Sequence, residues 1–132
     1  MRPGRHWAEV AVEELLVERG WRLVARNYGL RGGELDLVFY DDGGTLVFVE
    51  VRQRASDLFG GAAASIDSRK MARLRRTAEH FITYGLPAVI ARDSEQHHHA
   101  PRDVHEPRMR FDAVLVAGVE RHFSTSHVKD IL

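Results

Sequence analysis

Two stretches of the chain repeat apolar residues every three or four positions, which is the spacing of one face of an α-helix. Over residues 6–19 the apolar stripe lies between charged positions, and Gly20 stands where a helix would end. Over residues 65–84 a second stripe accompanies a strongly basic first half, and Gly85 follows it. The pattern therefore predicts two amphipathic helices, each ended by a glycine.

Alternating apolar positions and short, wholly apolar runs predict the strands. Strands are expected in a hairpin over residues 33–54 and at residues 21–26, 86–92 and 108–117. Loops are expected at residues 27–32, 55–64 and 93–107, and residues 120–132 match no single element. This order predicts one α/β domain over residues 1–132, in which a mixed sheet is flanked by helices and residues 93–107 are a loop insertion.

Three acidic side chains interrupt the apolar hairpin of residues 33–54. Glu34 and Asp36 share one face of its first strand, because side chains alternate with a period of two, and Glu50 lies on the second strand. Acids are poor strand formers and are costly to bury. Their position inside the hairpin therefore calls for a compensating charge.

The register of the hairpin decides whether these acids meet. A three-residue loop at residues 42–44 pairs Asp36 with Glu50. A two-residue loop would instead place Val49 opposite Asp36 and send the acids to different faces. The paired glycines of the turn permit the three-residue loop, which favours convergence of the two carboxylates.

Two carboxylates on adjacent strands suit phosphodiester hydrolysis, which needs an activated water, a neutralised phosphate and a stabilised leaving oxygen. One or two Mg²⁺ or Mn²⁺ ions can serve all three needs. Because Mg²⁺ retains several waters, two carboxylates suffice to hold it. Asp36 and Glu50 would bind the ion, with the backbone carbonyl of Val51 as a further ligand. The competing interpretation is a buried ion pair with Arg52 or Arg54.

Composition narrows the choice of function without deciding it. The 132 residues carry 19 basic and 19 acidic side chains, so net charge does not indicate nucleic acid. The absence of cysteine excludes disulfides, thiolate zinc sites and a cysteine nucleophile. No apolar run reaches the roughly 18–20 residues that cross a bilayer, and the acids near the N-terminus do not suit a signal peptide. We expect no membrane partner and a cytoplasmic location.

Four segments together resemble a known family. They are residues 20–27, 33–38, 46–52 and 110–114. In order and spacing they resemble the YraN family of uncharacterised proteins, within the PD-(D/E)XK restriction-endonuclease-like superfamily, where an acid on one strand precedes E-x-K on the next. The resemblance covers most of the chain, about residues 7–117, and implies a restriction-endonuclease-like core.

The resemblance also implies roles for individual residues. The implied catalytic set is Asp36, Glu50, Arg52 and Lys70, with Glu9 and Glu34 as accessory acids. Arg52 stands where the wider superfamily has lysine. Arginine stays protonated and cannot act as a base, but it can bind a phosphate through two N–H groups. Lys70, in the second predicted helix, could supply the missing ammonium group.

The remaining charges of this set have structural alternatives. Glu34 suits a solvated acid at a strand edge, and Glu9 suits the first turn of a helix, where the helix dipole favours negative charge. Arg69, Arg73 and Arg76 could line a groove for phosphates or form a solvated helix face.

Two further groups of polar residues are interpreted as structural. Arg110 and Asp112 lie two residues apart on one strand face and could pair with charges of the hairpin. His97, His98 and His99 cannot all face one ion because they are consecutive, so we assign them to the loop insertion and not to a metal site.

The leading hypothesis is a nucleic-acid-binding protein, with DNA as the expected partner and a Mg²⁺- or Mn²⁺-dependent endonuclease activity. The alternative is an inactive module on the same fold that binds DNA or a protein, which the neutral net charge favours. A pure protein-interaction domain is a third hypothesis, because the sequence shows no aromatic stacking platform. An edge strand or the apolar hairpin face could support a homodimer.

Overall fold

A five-stranded mixed sheet carries helices on both faces in the computed structural model, which describes residues 5–54, 68–97 and 108–132. The elements in chain order are α1 (Trp7–Glu18), β1 (Arg22–Leu30), β2 (Gly33–Tyr40), β3 (Leu46–Arg54), α2 (Ser68–His80), a π-helical turn (Phe81–Gly85), α3 (Leu86–His97), β4 (Met109–Val119) and β5 (His122–Val128). The strands lie in the order β1-β2-β3-β4-β5, and β3 and β4 are parallel while the other neighbours are antiparallel. The predicted α/β class is confirmed, and the arrangement is consistent with a restriction-endonuclease-like core.

The central hairpin divides its apolar side chains between two cores. Val47 and Val49 pack toward α1, whereas Leu46 and Phe48 pack toward α2 and the π-helical turn. This division follows from the alternation of side chains along a strand. Glu50 continues the series of Leu46 and Phe48, so its carboxylate lies on the α2 side of the sheet.

The predicted hairpin register is confirmed. Tyr40 pairs with Leu46, and the pairs continue to Leu37 with Val49. The backbone N–H of Asp41 donates to the carbonyl of Thr45 at 2.9 Å, which closes a loop over residues 42–44. The side chain of Asp41 stabilises this loop, because its Oδ1 accepts the N–H groups of Gly43 and Thr45.

The first strand is longer than predicted, and the predicted loop at residues 27–32 is wrong over its first part. β1 continues to Leu30 and pairs with the first half of β2. Asn27 adopts a left-handed φ of +49° within this strand, a conformation that asparagine tolerates better than most residues. The chain therefore reverses only at Arg31 and Gly32.

The prediction of a strand at residues 86–92 is wrong, because this segment belongs to α3. A short apolar run fits a buried strand and a buried helix equally well by periodicity. Gly85 does not end the preceding helix; its lack of a side chain serves close packing, since a Cβ there would lie 2.9 Å from the ring of Tyr28. The π-helical hydrogen bond from Leu86 N–H to Phe81 O comes just before Pro87, which itself has no N–H to donate.

The last predicted strand is confirmed as β4, and the ambiguous C-terminal segment contains the edge strand β5. The predicted loop insertion at residues 93–107 is wrong for residues 93–97, which are helical; residues 98–107, with His98 and His99, and residues 55–67 lie outside the described ranges. Within those ranges, none of the helices is long and apolar enough to cross a bilayer.

Candidate metal and phosphate site

The candidate site opens where β2 and β3 separate. Their paired register ends at Leu37 and Val49; beyond it, β2 pairs with β1 and β3 pairs with β4. The next residues along the two strands are Asp36 and Glu50, the pair that the sequence predicts. The N–H of Val51 donates to Oδ2 of Asp36 at 2.9 Å, so a side chain replaces the strand partner that β2 no longer supplies.

Asp36, which is partly buried, and Glu50, which is buried, form an interacting pair of acids. Burial raises the pKa of Asp36 to about 8, and the neighbouring charge of Glu50 adds to this shift, although the N–H of Val51 opposes it. Burial also raises the pKa of Glu50, against the lowering effects of Arg52 and of the hydrogen bond from Asp36. The pair therefore holds a proton near neutral pH, which is the charge state expected when two carboxyl groups share one site.

Two cationic side chains lie against Glu50. Lys70 Nζ from α2 is 2.7 Å from Glu50 Oε1, and a guanidinium nitrogen of Arg52 is 3.3 Å from the same oxygen. The Nε of Arg52 is buried and has no hydrogen-bond partner among the described residues. The ammonium group of Lys70, which the sequence suggested as a replacement for the missing lysine, thus lies at the acid pair. One N–H group of Arg52 has no acceptor among the described residues.

A cleft of about 380 Å³ surrounds the acid pair. Its lining comes from α1, the β1–β2 turn, β2, β3 and α2: Glu9, Gly32, Gly33, Glu34, Asp36, Glu50, Lys70, Arg73 and Leu74. The accessory acids Glu9 and Glu34 are therefore at the same opening, but both accept a hydrogen bond from the amide of Asn27, at 3.3 and 3.0 Å. Asn27 therefore holds two acids of the cleft, a role that the sequence did not single out, although asparagine is unusual inside a strand.

The donor set suits a hard divalent cation held by few protein ligands. Across the residues described here, no group of three or more His, Asp or Glu side chains is arranged to hold a metal. Asp36 and Glu50 could supply two oxygen ligands, in an open cleft that leaves room for the waters that Mg²⁺ retains. Burial and the neighbouring charge of Glu50 raise the pKa of Asp36, so a bound cation would favour the ionised form of this carboxyl group.

Only part of the predicted basic surface reaches the cleft. Arg73 lines the cleft, whereas Arg69 and Arg76 are exposed on α2 outside it. The buried face of α2, with Leu74 and Ala78, packs on the sheet. The basic run is thus an exposed helix face that adjoins the candidate site at one position.

We expect Gly33→Ala to move α2 away from β2 and to lower the free energy of unfolding by about 1–3 kcal/mol. A Cβ at Gly33 would overlap the hydroxyl of Thr77 and would lie 3.4 Å from the carbonyl oxygen of Arg73. That hydroxyl is held in place, because it donates to the same carbonyl at 2.9 Å. Denaturant unfolding tests this, with Gly29→Ala as the control, since a Cβ at Gly29 meets no atom closer than 3.8 Å. Equal stability of the two variants would show that α2 is not held this closely.

A second polar cluster, on the α1 side of the sheet, confirms the structural role expected for Arg110 and Asp112. Asp112 is fully buried and accepts hydrogen bonds from Arg110 at 2.8 and 3.0 Å, from His127 Nε2 at 2.8 Å and from the backbone N–H of Asp130 at 3.0 Å. Arg110 also bonds Asp41 in the hairpin loop, at 3.3 Å. Burial acts to raise the pKa of Asp112, but the bonds from His127 and Arg110 outweigh it and lower the pKa to about 2.

The tertiary structure also assembles an aromatic cluster that the sequence did not reveal. The hydroxyl of Tyr28 lies 2.6 Å from His80 Nδ1, and the rings of His80 and Tyr84 are 4.6 Å apart. The three residues come from β1, the end of α2 and the π-helical turn. Because Tyr28 is far from the other two along the chain, no local pattern could have grouped all three.

Sequence comparisons agree with the family resemblance. The model of the uncharacterised protein family UPF0102 matches residues 8–116. A UPF0102 protein of Methylobacillus flagellatus is 43% identical over 110 residues, which are 83% of this chain and 80% of that protein. A UPF0102 protein of Nitrosomonas europaea is 41% identical over 111 residues, or 84% of this chain and 78% of that protein.

Other relatives are matched over a smaller share of their own length. A UPF0102 protein of Paracidovorax citrulli is 46% identical over 102 residues, which are 75% of this chain but 62% of that protein. The matched region of the family nevertheless includes β1 to β3, α2 and most of β4. The comparisons therefore confirm the resemblance carried by the four sequence segments, and the chain belongs to the uncharacterised protein family UPF0102, the YraN family.

Proposed function

We propose that the cleft at Asp36 and Glu50 binds Mg²⁺ or Mn²⁺ and hydrolyses phosphodiester bonds in nucleic acid, with DNA as the expected substrate. The observation that supports this most directly is the acid pair at the divergence of β2 and β3, with Lys70 at 2.7 Å from Glu50. Two acids and a lysine on neighbouring elements supply cation binding and proton handling in one open cleft.

The division of labour follows from the contacts. Asp36 and Glu50 would hold the ion, and the carbonyl of Val51 is a further candidate ligand. A bound divalent ion would activate water and neutralise phosphate charge. Arg52, whose outer guanidinium nitrogen lies 3.3 Å from Glu50, would donate to a phosphate oxygen. Lys70 can position or exchange a proton, which an arginine cannot do.

A metal titration tests the ion site. In thermal unfolding, millimolar Mn²⁺ or Mg²⁺ should raise the melting temperature of the native protein, because an ion that binds only the folded state stabilises it by mass action. The double variant Asp36→Ala with Glu50→Ala should show no such rise. Glu34→Gln is the matched control; its carboxylate bonds Asn27, so the variant should keep most of the response. No rise in wild type and double variant alike would contradict the metal site.

Cleavage is measured with the same proteins on single-stranded, branched and duplex DNA. Lys70→Ala should lower the rate about 100-fold, within the range for losing one acid–base group. Adding Arg52→Lys to Lys70→Ala places an ammonium group two residues after Glu50, as in the E-x-K pattern, and should restore part of the rate. Full activity of Lys70→Ala would remove Lys70 from the mechanism.

One observation favours the alternative of a binding module without catalysis. Glu50 already contacts both Lys70 and Arg52, so its charge is partly compensated without a metal ion. On this alternative, DNA binding would persist in the double variant, and no divalent ion would change either the melting temperature or the DNA. The metal titration and the cleavage assay therefore separate the two functions.

A further inference from the structure

An exposed stripe of basic and aromatic side chains runs along α2 and the π-helical turn. We define the α2 stripe as Arg69, Arg73, Arg76, His80 and Tyr84. Successive members are three or four residues apart, so their side chains follow one face of the helical run. The three arginines are exposed and form no ion pair with another described residue.

Positive charge is in local excess on α2. α2 has five lysine and arginine residues and one acidic residue, Glu79, although the whole chain is neutral. Such a local excess attracts a polyanion even when net charge does not. The neutral composition therefore does not argue against a nucleic-acid surface here.

The aromatic end of the stripe is exposed at its tip and anchored behind. Tyr84 is 66% exposed, and its ring lies 4.6 Å from that of His80, with 45° between their planes. His80 is held by the hydroxyl of Tyr28 at 2.6 Å, and Tyr28 packs edge-on against Phe81. An exposed aromatic ring with a fixed backing is the kind of surface on which a nucleic-acid base stacks.

The spacing along the helix relates this ring to the cleft. Arg73 lines the cleft, and Tyr84 is eleven residues further along, which is about 16 Å of helix. One strand of stacked nucleic acid covers that distance in about five nucleotides. Inside a duplex both faces of every base are already stacked, so an unpaired base is the form that can cover Tyr84 along a strand.

From these observations we infer that the α2 stripe binds a single nucleic-acid strand, with phosphates on its arginines and an unpaired base on Tyr84, and so directs single-stranded or frayed segments to the cleft. The inference rests on the proposed function and narrows its substrate to nucleic acid with unpaired nucleotides. The ring on Tyr84 selects for an unpaired base, and the arginines supply attraction that does not depend on sequence.

Fluorescence anisotropy without divalent ions tests the inference independently of cleavage. The probes are a dT oligomer of about twelve nucleotides, within the range of single-strand site sizes, and a stable blunt-ended duplex of mixed sequence. Tyr84→Ala should weaken binding of the dT oligomer about tenfold and leave the duplex unchanged, because stacking on one aromatic ring contributes to the single strand alone. Tyr84→Phe, which keeps the ring, should bind like wild type.

Control variants distinguish the effect of base stacking on binding from the effects of charge and of a disturbed fold. Phe123→Ala removes an exposed aromatic ring on β5, at the other end of the sheet from β1, and should not alter binding. Arg73→Ala with Arg76→Ala should weaken the single strand and the duplex together and reduce the salt dependence. A U oligomer measured in parallel shows whether the stripe prefers DNA or RNA. Weaker binding of either oligomer by Tyr84→Ala supports the inference.

Three results would overturn it. The first is that Tyr84→Ala binds the dT oligomer as wild type does. The second is that this variant binds the single strand and the duplex more weakly by the same factor, and the third is that wild type binds the duplex more tightly than the single strand. None of these would bear on metal-dependent stabilisation or cleavage, so failure of the stripe is distinct from failure of the proposed site. Wild type that binds no nucleic acid would contradict both the stripe and the proposed substrate.

Discussion

Asp112→Asn is expected to lower the free energy of unfolding by about 3 kcal/mol at pH 7. The carboxylate is fully buried and accepts from Arg110, His127 and the N–H of Asp130, so it joins β4 to β5 and the C-terminal segment. An asparagine at this position keeps one oxygen acceptor but turns an N–H₂ group toward donors. At this chain length the loss corresponds to a fall of roughly 10 °C in melting temperature.

The effect of Asp112→Asn should depend on pH. The folded-state pKa of Asp112 is lowered from 3.8 to about 2, so the unfolded chain binds the proton first as the pH falls. The contribution of the charged carboxylate, about 2 kcal/mol, is complete above the unfolded-state value and is lost as the pH falls toward the folded-state value. Denaturant unfolding at pH 7 and near pH 3 measures this. A stability difference between wild type and variant that does not shrink at low pH would contradict the assigned pKa.

The same substitution at Asp36 is expected to act in the opposite direction. Without divalent ions, Asp36→Asn should raise the free energy of unfolding by about 2–4 kcal/mol near pH 8. Asp36 has a folded-state pKa raised to about 8, so the folded state binds a proton that the unfolded chain has already lost. An asparagine carries no charge, its carbonyl can accept from Val51 N–H, and its N–H₂ group can donate to Glu50.

The sign of this effect also sets its pH window. Because the pKa of Asp36 is raised in the folded state, ionising it costs stability progressively as the pH rises from about 4 through 8. The advantage of Asp36→Asn should therefore be largest near pH 8 and small near pH 4. Thermal unfolding across this range gives the comparison, with Asp112→Asn as the matched substitution that destabilises. A destabilising effect of Asp36→Asn at pH 8 would mean that the carboxylate is retained for the fold.

Metal binding turns the Asp36 experiment into a test of function. Metal ligands must be deprotonated, so the affinity of wild type for Mn²⁺ should rise between pH 6 and 8 as the shared proton is displaced. Asp36→Asn should lose this response while gaining stability in the absence of the ion. A variant that is more stable but no longer binds metal would show that Asp36 is costly for folding and serves the site.

The hairpin and its acid pair could be predicted from the sequence. Alternation of side chains placed Asp36 on one strand face, and the length of the loop after Asp41 placed Glu50 opposite it. Both are local properties, because they depend on residues adjacent in the chain. The roles of Arg110 and Asp112 were also accessible, since two opposite charges on one strand face can pair with each other.

The errors concentrate where local signals are ambiguous. Residues 86–92 are predicted as a strand but form part of α3. Leu86 and Ile90 pack in the same core as α2, and a short apolar run of this kind fits a buried helix and a buried strand equally well. A local rule misread Gly85 as the end of a helix, although its function is contact with two aromatic rings. The glycines of residues 27–32 led to the prediction of a loop there, whereas β1 passes through Asn27 with a positive φ and continues to Leu30.

The sequence by itself determined the α/β class, the family, the hairpin register and the two acids that face each other across it. Only the tertiary structure decided that Lys70 reaches Glu50, that β2 and β3 separate at the acid pair, and that Tyr28, His80 and Tyr84 form one cluster. Register and alternation follow from backbone geometry between neighbouring residues. The approach of a helix to a sheet depends on long-range packing, such as α2 against Gly33, which no short stretch of sequence encodes.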